Sequence, residues 1–410
     1  MKTTITVIAA LFVKTSVLSQ DTLWTRASHP EQREVYGVAF SSDGNYILSG
    51  SECHKTHLRI FETITGTNTW DFEVDTTNYC TSSVKFSSDG LYLANMEELG
   101  KLEIYSRSGG TASLTSSVHT GTSGAYSVDF SPQSDKVVTG CTNNKMIIYS
   151  VPSGNVLHTV TAHSGSVLSV AWSHNGQYIA TGGNDNLVKL WDTTGALIHT
   201  FTGHTGDANT VVFSPNDDYL ISGSQDDKIK IWDISTHTAI LTLSGHTQDI
   251  RQVDVSPNGK YIVSVSNDMT TKIWNFLTGN LVSSFSLAGA GKVYTCAWSP
   301  TEDKIVIGTQ FNKVILWDVS TSVGINEINS KSTISVFPNP STTSIYLSIE
   351  GLDNNNPVNI EIRDSTGKLV LFEQNFRLNE PINISKIKAG TYVISVNTKT
   401  YRSKIKFIKQ

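Results

Sequence analysis

The chain has 410 residues, of which 16% are charged and 38% hydrophobic, with 30 glycines. This length predicts more than one domain, and the composition excludes a disordered chain and favours a turn-rich β protein. A net charge of −5 is too small to nominate nucleic acid or an anionic membrane as the main partner.

The chain opens as an export signal. Lys2 supplies a positive start, Ile5 to Val13 is a compact apolar run, and Val17-Leu18-Ser19 is a small-residue cleavage pattern. Residues 1–19 are therefore expected to be a signal peptide cut before Gln20. The apolar run falls far short of the roughly 20 residues that span a bilayer. No transmembrane segment is expected elsewhere, and without a cysteine at the cut no lipid anchor is expected.

From there an internal period takes over. Leu190-Trp191-Asp192, Ile231-Trp232-Asp233, Ile273-Trp274-Asn275 and Leu316-Trp317-Asp318 share one position, with weaker copies around Phe61, Tyr105 and Tyr149. The aromatics at 61, 105, 149, 191, 232, 274 and 317 are separated by 44, 44, 42, 41, 42 and 43 residues. Within a copy, short alternating β-branched and aromatic runs are separated by turns such as Pro215-Asn216-Asp217 and Ser224 to Asp227. Each copy predicts one four-stranded sheet, too small to bury both faces alone, so the copies must stack. Leu23-Trp24-Thr25, ahead of His29, aligns with Leu157-His158-Thr159 ahead of His163. The N-terminal strand is thus expected to complete the seventh copy and seal the ring.

Residues 21 to about 318 resemble the WD-repeat family, which implies a closed ring of four-stranded blades around a central channel. The family's polar network links a His before the first strand, a Ser or Thr in the second, an Asp in the tight turn, and the Trp. It carries over to His163, Thr181, Asp185 and Trp191, to His204, Ser222, Asp226 and Trp232, and to His246, Ser264, Asp268 and Trp274. Elsewhere it decays: Asn143 replaces the Asp in the third copy, and Phe311 replaces it in the seventh, which also lacks the His. In such relatives partners dock at the channel mouth. The corresponding ring here is Tyr36, Ser82, Tyr126, Leu168, Asn209, Arg251 and Tyr294, joined by Asn184, Gln225 and Asn267, with Thr142 and Gln310 at the degenerate turns.

A polar linker, residues 321–331, leads to a different pattern. Residues 332–410 hold about seven short alternating strands and ten Lys/Arg against six Asp/Glu, whereas the rest holds 21 against 30. Phe337-Pro338-Asn339-Pro340, the Asp364 to Leu369 turn, Gly390-Thr391-Tyr392-Val393 and a lysine-rich last strand resemble the C-terminal sorting domain of the bacterial type IX secretion system. That resemblance implies passage through an outer membrane, and hence a protein secreted from, or held on the surface of, a Gram-negative bacterium. The expected fold is all-β: a seven-bladed β-propeller of four-stranded blades over residues 20–320, then a small immunoglobulin-like β-sandwich.

Four cysteines offer no CxxC spacing for zinc or redox work. Cys53, in the long turn of the first copy, and Cys80, before the first strand of the second, are expected to form a disulfide; Cys141 and Cys296 read as buried thiols. There is no GxSxG, HExxH, GxxxxGK or GxGxxG. His54 and His57 are an incomplete metal set, and Asp353 to Asn356 reads as a turn rather than a calcium loop. No catalytic residue, cofactor or metal is therefore expected. The expectation is a monomeric, non-enzymatic platform that grips a protein, peptide or glycan and meets the secretion machinery through its tail. The alternative is a secreted propeller hydrolase or lyase, which convergent acids at the channel mouth would favour over a Tyr/Asn/Arg ring.

Overall fold

A computed structural model describes residues 21–27, 34–51, 57–73, 80–121, 124–286, 289–319, 334–337, 343–349, 358–364, 368–377, 380–397 and 402–409. The signal peptide, His29, Cys53, His54, the linker 321–331 and Asp353 to Asn356 lie outside the described residues, as does the side chain of His57. The chain divides into two compact units, Met1–Val323 and Gly324–Gln410.

The first unit contains, among the described residues, seven four-stranded antiparallel sheets. Sheet 1 is built from Val35–Phe40, Tyr46–Ser51, His57–Glu62 and Asn68–Glu73, laid side by side in chain order. Sheets 2 to 6 repeat this plan, with first strands Thr81–Phe86, Ala125–Phe130, Val167–Trp172, Ala208–Phe213 and Ile250–Val255. Sheet 7 differs: Val293–Trp298, Lys304–Thr309 and Lys313–Asp318 take Asp21–Ala27 as their fourth strand, so chain start and repeat end share one sheet. Burial follows from position. Second strands such as Tyr178–Gly183 are covered on both faces and buried almost continuously, whereas fourth strands such as Val156–Thr161 lie largely exposed.

Apolar side chains of neighbouring sheets share cores. Val263, Val265 and Ile273 of sheet 6 pack with Val293, Cys296 and Trp317 of sheet 7. Trp24, Val306 and Leu316 of sheet 7 pack with Val35, Val38, Ile47 and Phe61 of sheet 1, which closes the ring. At about 1.5–3 kcal/mol per fully buried large side chain, these cores hold the sheets together. The closing sheet is also latched by polar contacts: Trp24 Nε1 donates to Thr63 O at 2.8 Å and Arg26 Nε to Gly66 O at 2.8 Å.

A second device repeats around the centre. A side-chain oxygen in six of the seven first strands accepts the amide of the next one: Ser83 from Val128, Ser127 from Val170, Ser169 from Val211, Thr210 from Val253, Gln252 from Cys296 and Thr295 from Val38, at 3.0–3.4 Å. The remaining position is Gly37, where a Cβ would sit 3.0 Å from Val84 Cγ2 and 3.1 Å from its amide nitrogen. Close approach replaces the hydrogen bond there.

The second unit forms a three-stranded sheet (Ile334–Phe337, Ser344–Ile349, Ile382–Asn383) and a four-stranded one (Val358–Asp364, Leu369–Phe376, Gly390–Asn397, Arg402–Lys409). Ile345, Leu347 and Ile382 of the first meet Ile360, Ile362, Ile394 and Val396 of the second in one apolar core.

Candidate functional site

Where first strands meet, a cavity of about 450 Å³ opens. Its lining includes Tyr36, Ser82, Tyr126, Leu168, Asn209, Arg251 and Tyr294, one from each of the seven sheets, together with Gln225. Asn184 and Asn267 do not line it. Asn184 sits against Gly165, and Asn267 Nδ2 donates to Asp249 at 3.2 Å.

Hydrogen bonding divides the ring into residues that hold the scaffold and residues that face the cavity. Ser82 Oγ donates to Ala125 O at 2.8 Å and Asn209 Nδ2 to Ile250 O at 2.9 Å, so both clip adjacent sheets. The Tyr36 and Tyr294 rings pack at a tilt of 33° with centroids 4.9 Å apart, and both hydroxyls donate to the Glu34 carboxylate. Arg251 lies over the Tyr294 ring, 5.7 Å from its centroid, and its buried Nε has no hydrogen-bond partner. Tyr126 is 38% exposed.

The cavity is more acidic than the Tyr/Asn/Arg reading of the sequence allowed. Glu98, Asp207 and Asp249 line it too. They escaped the sequence register because Asp207 and Asp249 precede the first strands of sheets 5 and 6, and Glu98 follows the second strand of sheet 2. Burial, with Asp185 and Asp249 nearby, raises Asp207 above the ordinary carboxylate range. Deeper in, Lys85 stands 3.9 Å from Asp129, whose other oxygen accepts the Trp172 amide at 2.8 Å.

Beside the cavity, the predicted polar sets of sheets 4 to 6 come together. His163 Nδ1 lies 2.8 Å from Asp185, its Nε2 lies 2.7 Å from Thr181, and Trp191 Nε1 donates to Thr181 at 2.9 Å. The equivalent distances are 2.9, 2.8 and 2.8 Å for His204, Asp226, Ser222 and Trp232, and 2.8, 2.7 and 2.8 Å for His246, Asp268, Ser264 and Trp274. One proton order satisfies each chain: Trp donates to the hydroxyl, the hydroxyl to Nε2, and Nδ1–H to the carboxylate. Burial alone would raise Asp226, but the His204 hydrogen bond and the Thr205 amide outweigh it and bring it down to about 2. In sheet 7, Ile307 takes the hydroxyl's place opposite Ile315, and the buried Trp317 Nε1 is left without a partner.

Sheet 2 carries a different buried set. By strand register Glu97, opposite Thr81, corresponds to Gly183, opposite Val167. A Cβ at Gly183 would strike His163 Nδ1 at 2.4 Å, so the Glu97 side chain takes the room that the His ring fills in sheet 4. Around it, Glu103 accepts from Tyr105 at 2.6 Å and Asn95 at 3.2 Å, and pairs with Lys101 at 2.5 Å. Both Glu97 oxygens are buried without a hydrogen-bond partner. Burial first, then Glu103, push Glu97 up to about 8.

Cys80 is disulfide-bonded, whereas Cys141 and Cys296 are buried thiols outside any disulfide. Among the described residues no group of three or more His, Cys, Asp or Glu side chains is placed to hold a metal ion, and no helix is long and apolar enough to cross a membrane.

Comparison with known proteins agrees with the repeat and the tail. Residues 20–61, 112–150, 154–192, 195–233 and 237–275 match the family described as WD domain, G-beta repeat. Residues 335–410 match the secretion system C-terminal sorting domain. A 68-residue stretch is 31% identical to Pre-mRNA-processing factor 19 of Oryza sativa subsp. japonica, covering 17% of this chain and only 13% of that protein. The tail match implies export through type IX secretion to the cell surface or beyond. The repeated sheets and the Trp-anchored polar sets agree with these matches: the chain carries WD repeats and ends in a type IX sorting domain.

Proposed function

We propose that the seven sheets are the blades of one seven-bladed propeller, and that this propeller is a non-enzymatic binding platform. In this reading a protein, peptide or glycan docks at the channel mouth, outside a Gram-negative cell that exports the chain through its sorting domain. The carrying observation is the cavity of about 450 Å³ to which all seven sheets contribute. Its volume lies in the range of ligand sites, and its tyrosines and arginine are residue types that dominate binding energy. The full chain, immobilised and exposed to surface and culture-fluid extracts and to a glycan array, is expected to capture a ligand that Tyr126→Ala releases. Capture unaffected by that change, or the absence of any captured ligand, refutes docking at this mouth.

A second reading, a hydrolase, is favoured by one observation: Asp207, Asp249 and Glu98 converge on the same cavity, and Asp207 is raised by burial with Asp185 and Asp249. Paired carboxylates facing one cavity are the equipment of glycoside hydrolysis. Turnover of a glycoside panel, lost in both Asp207→Asn and Asp249→Asn, would establish it.

A further inference from the structure

The mouth contains a cation with no counterpart. Arg251 is half-buried, its Nε is buried with no hydrogen-bond partner, and its described contact is the face of Tyr294. Of the nearby acids, Glu34 accepts from both tyrosine hydroxyls, Asp249 from Asn267, and Asp129 stands by Lys85. No ion pair joins any of them to Arg251 among the described residues. A buried, unsatisfied donor on a charged group costs more than one on a neutral group. The guanidinium lies over the Tyr294 ring, which packs at a tilt against Tyr36, so an aromatic pair backs the cation before any ligand arrives.

A planar fork of fixed N–H donors matches a carboxylate. The surroundings narrow the choice: Glu98, Asp207 and Asp249 repel a ligand carrying several negative charges, whereas one carboxylate is balanced by one guanidinium. Leu168 and Tyr126 on the same cavity add apolar surface. A peptide end presents a carboxylate beside an apolar side chain, while an acidic sugar surrounds its carboxylate with hydroxyls. We propose that Arg251 anchors a carboxylate of a peptide ligand, either a free C-terminus or an Asp/Glu side chain. The inference rests on the platform reading of the same mouth.

The test is saturation-transfer NMR on the full chain with four probes: N-acetylalanine, its neutral amide, N-acetylaspartate amide and glucuronate. Transfer to N-acetylalanine or N-acetylaspartate amide is expected, with the stronger of the two identifying the source of the carboxylate. The neutral amide is expected to lose at least tenfold in affinity. Arg251→Gln should abolish the signal, and Arg251→Lys, which keeps the charge but not the fork, should weaken it; thermal unfolding checks that both are folded. Equal binding of the amide, a stronger signal from glucuronate, no transfer to either peptide carboxylate, or retention in a folded variant overturns the proposal. If extract capture is lost in Tyr126→Ala while the carboxylate probes fail, the platform stands and the carboxylate anchor falls. Bound probes with no captured partner give the converse.

Discussion

Glu97 offers a prediction whose size follows from its surroundings. Its carboxyl is fully buried, neither oxygen has a hydrogen-bond partner, and its charged neighbours are Glu103 and, 3.8 Å away, Lys101. Desolvation and the like charge of Glu103 hold it neutral up to a pH of about 8, against an ordinary 4.5. The folded state therefore binds this proton more tightly than the unfolded one. Stability is unaffected by Glu97 below pH 4.5, falls as pH rises through the window to about 8, and levels off above it. At ~1.4 kcal/mol per pH unit, the loss approaches about 5 kcal/mol, a large share of a domain's net stability. Glu97→Gln keeps the shape and removes the titration. Urea unfolding of both proteins from pH 4 to 9 is expected to give similar midpoints at pH 4 and a gap that widens steadily toward pH 8 in favour of the Gln variant. A gap that is constant with pH would refute the assignment of a neutral, buried Glu97.

Four further outcomes are expected. Trp232→Phe breaks the chain through Ser222 and His204, whereas Trp317→Phe removes a donor that already has no partner; the first should cost about 1–2 kcal/mol more in denaturant melts. Asp226, lowered to about 2, contributes stability above its ordinary 3.8 that fades as pH falls toward 2, so the roughly 2 kcal/mol deficit of Asp226→Asn at pH 7 should shrink by pH 2.5. Met269 is 52% exposed and holds φ at 67°, at the turn position occupied by Asn144, Asn186 and Asn312 in other sheets; Met269→Asn should raise the melting temperature, gaining up to about 1 kcal/mol. Removing residues 21–27 strips sheet 7 of its fourth strand and of the Trp24 and Arg26 latches to sheet 1. A large drop in melting temperature is expected, and an unchanged value would refute ring closure through this strand.

The repeat was legible because each sheet uses the same local grammar. Phe61, Tyr105, Tyr149, Trp191, Trp232, Trp274 and Trp317 all fall in third strands, and Leu23-Trp24-Thr25 pairs with Lys313–Asp318 from the far end of the repeat. Aligned copies also placed the seven ring residues, since strand register carries side-chain direction. What escaped was the content of positions where this chain departs from its own pattern. Glu97 stands where the other copies have Gly or a small residue, and only the packed sheet reveals that its carboxyl fills the room of an absent His ring. Glu98, Asp207 and Asp249 lie just outside strands, where register gives no direction.

The same contrast separates scaffold from site. Ser82 and Asn209 look like ligand contacts in a sequence alignment of the copies, yet each also clips one sheet to the next. His163, His204 and His246, which the sequence assigns to the polar network, are held on both ring nitrogens by partners of their own sheet. A residue type alone therefore decides little. What marks Arg251 is the absence of any hydrogen-bond partner for its Nε at a place where burial makes that absence costly. Most of the polar groups around it are satisfied by other groups of the chain, so the unmatched donor is where an external acceptor gains most. On the proposed reading, specificity at this mouth comes from Arg251 set among acids that exclude polyanions, rather than from the area of the cavity.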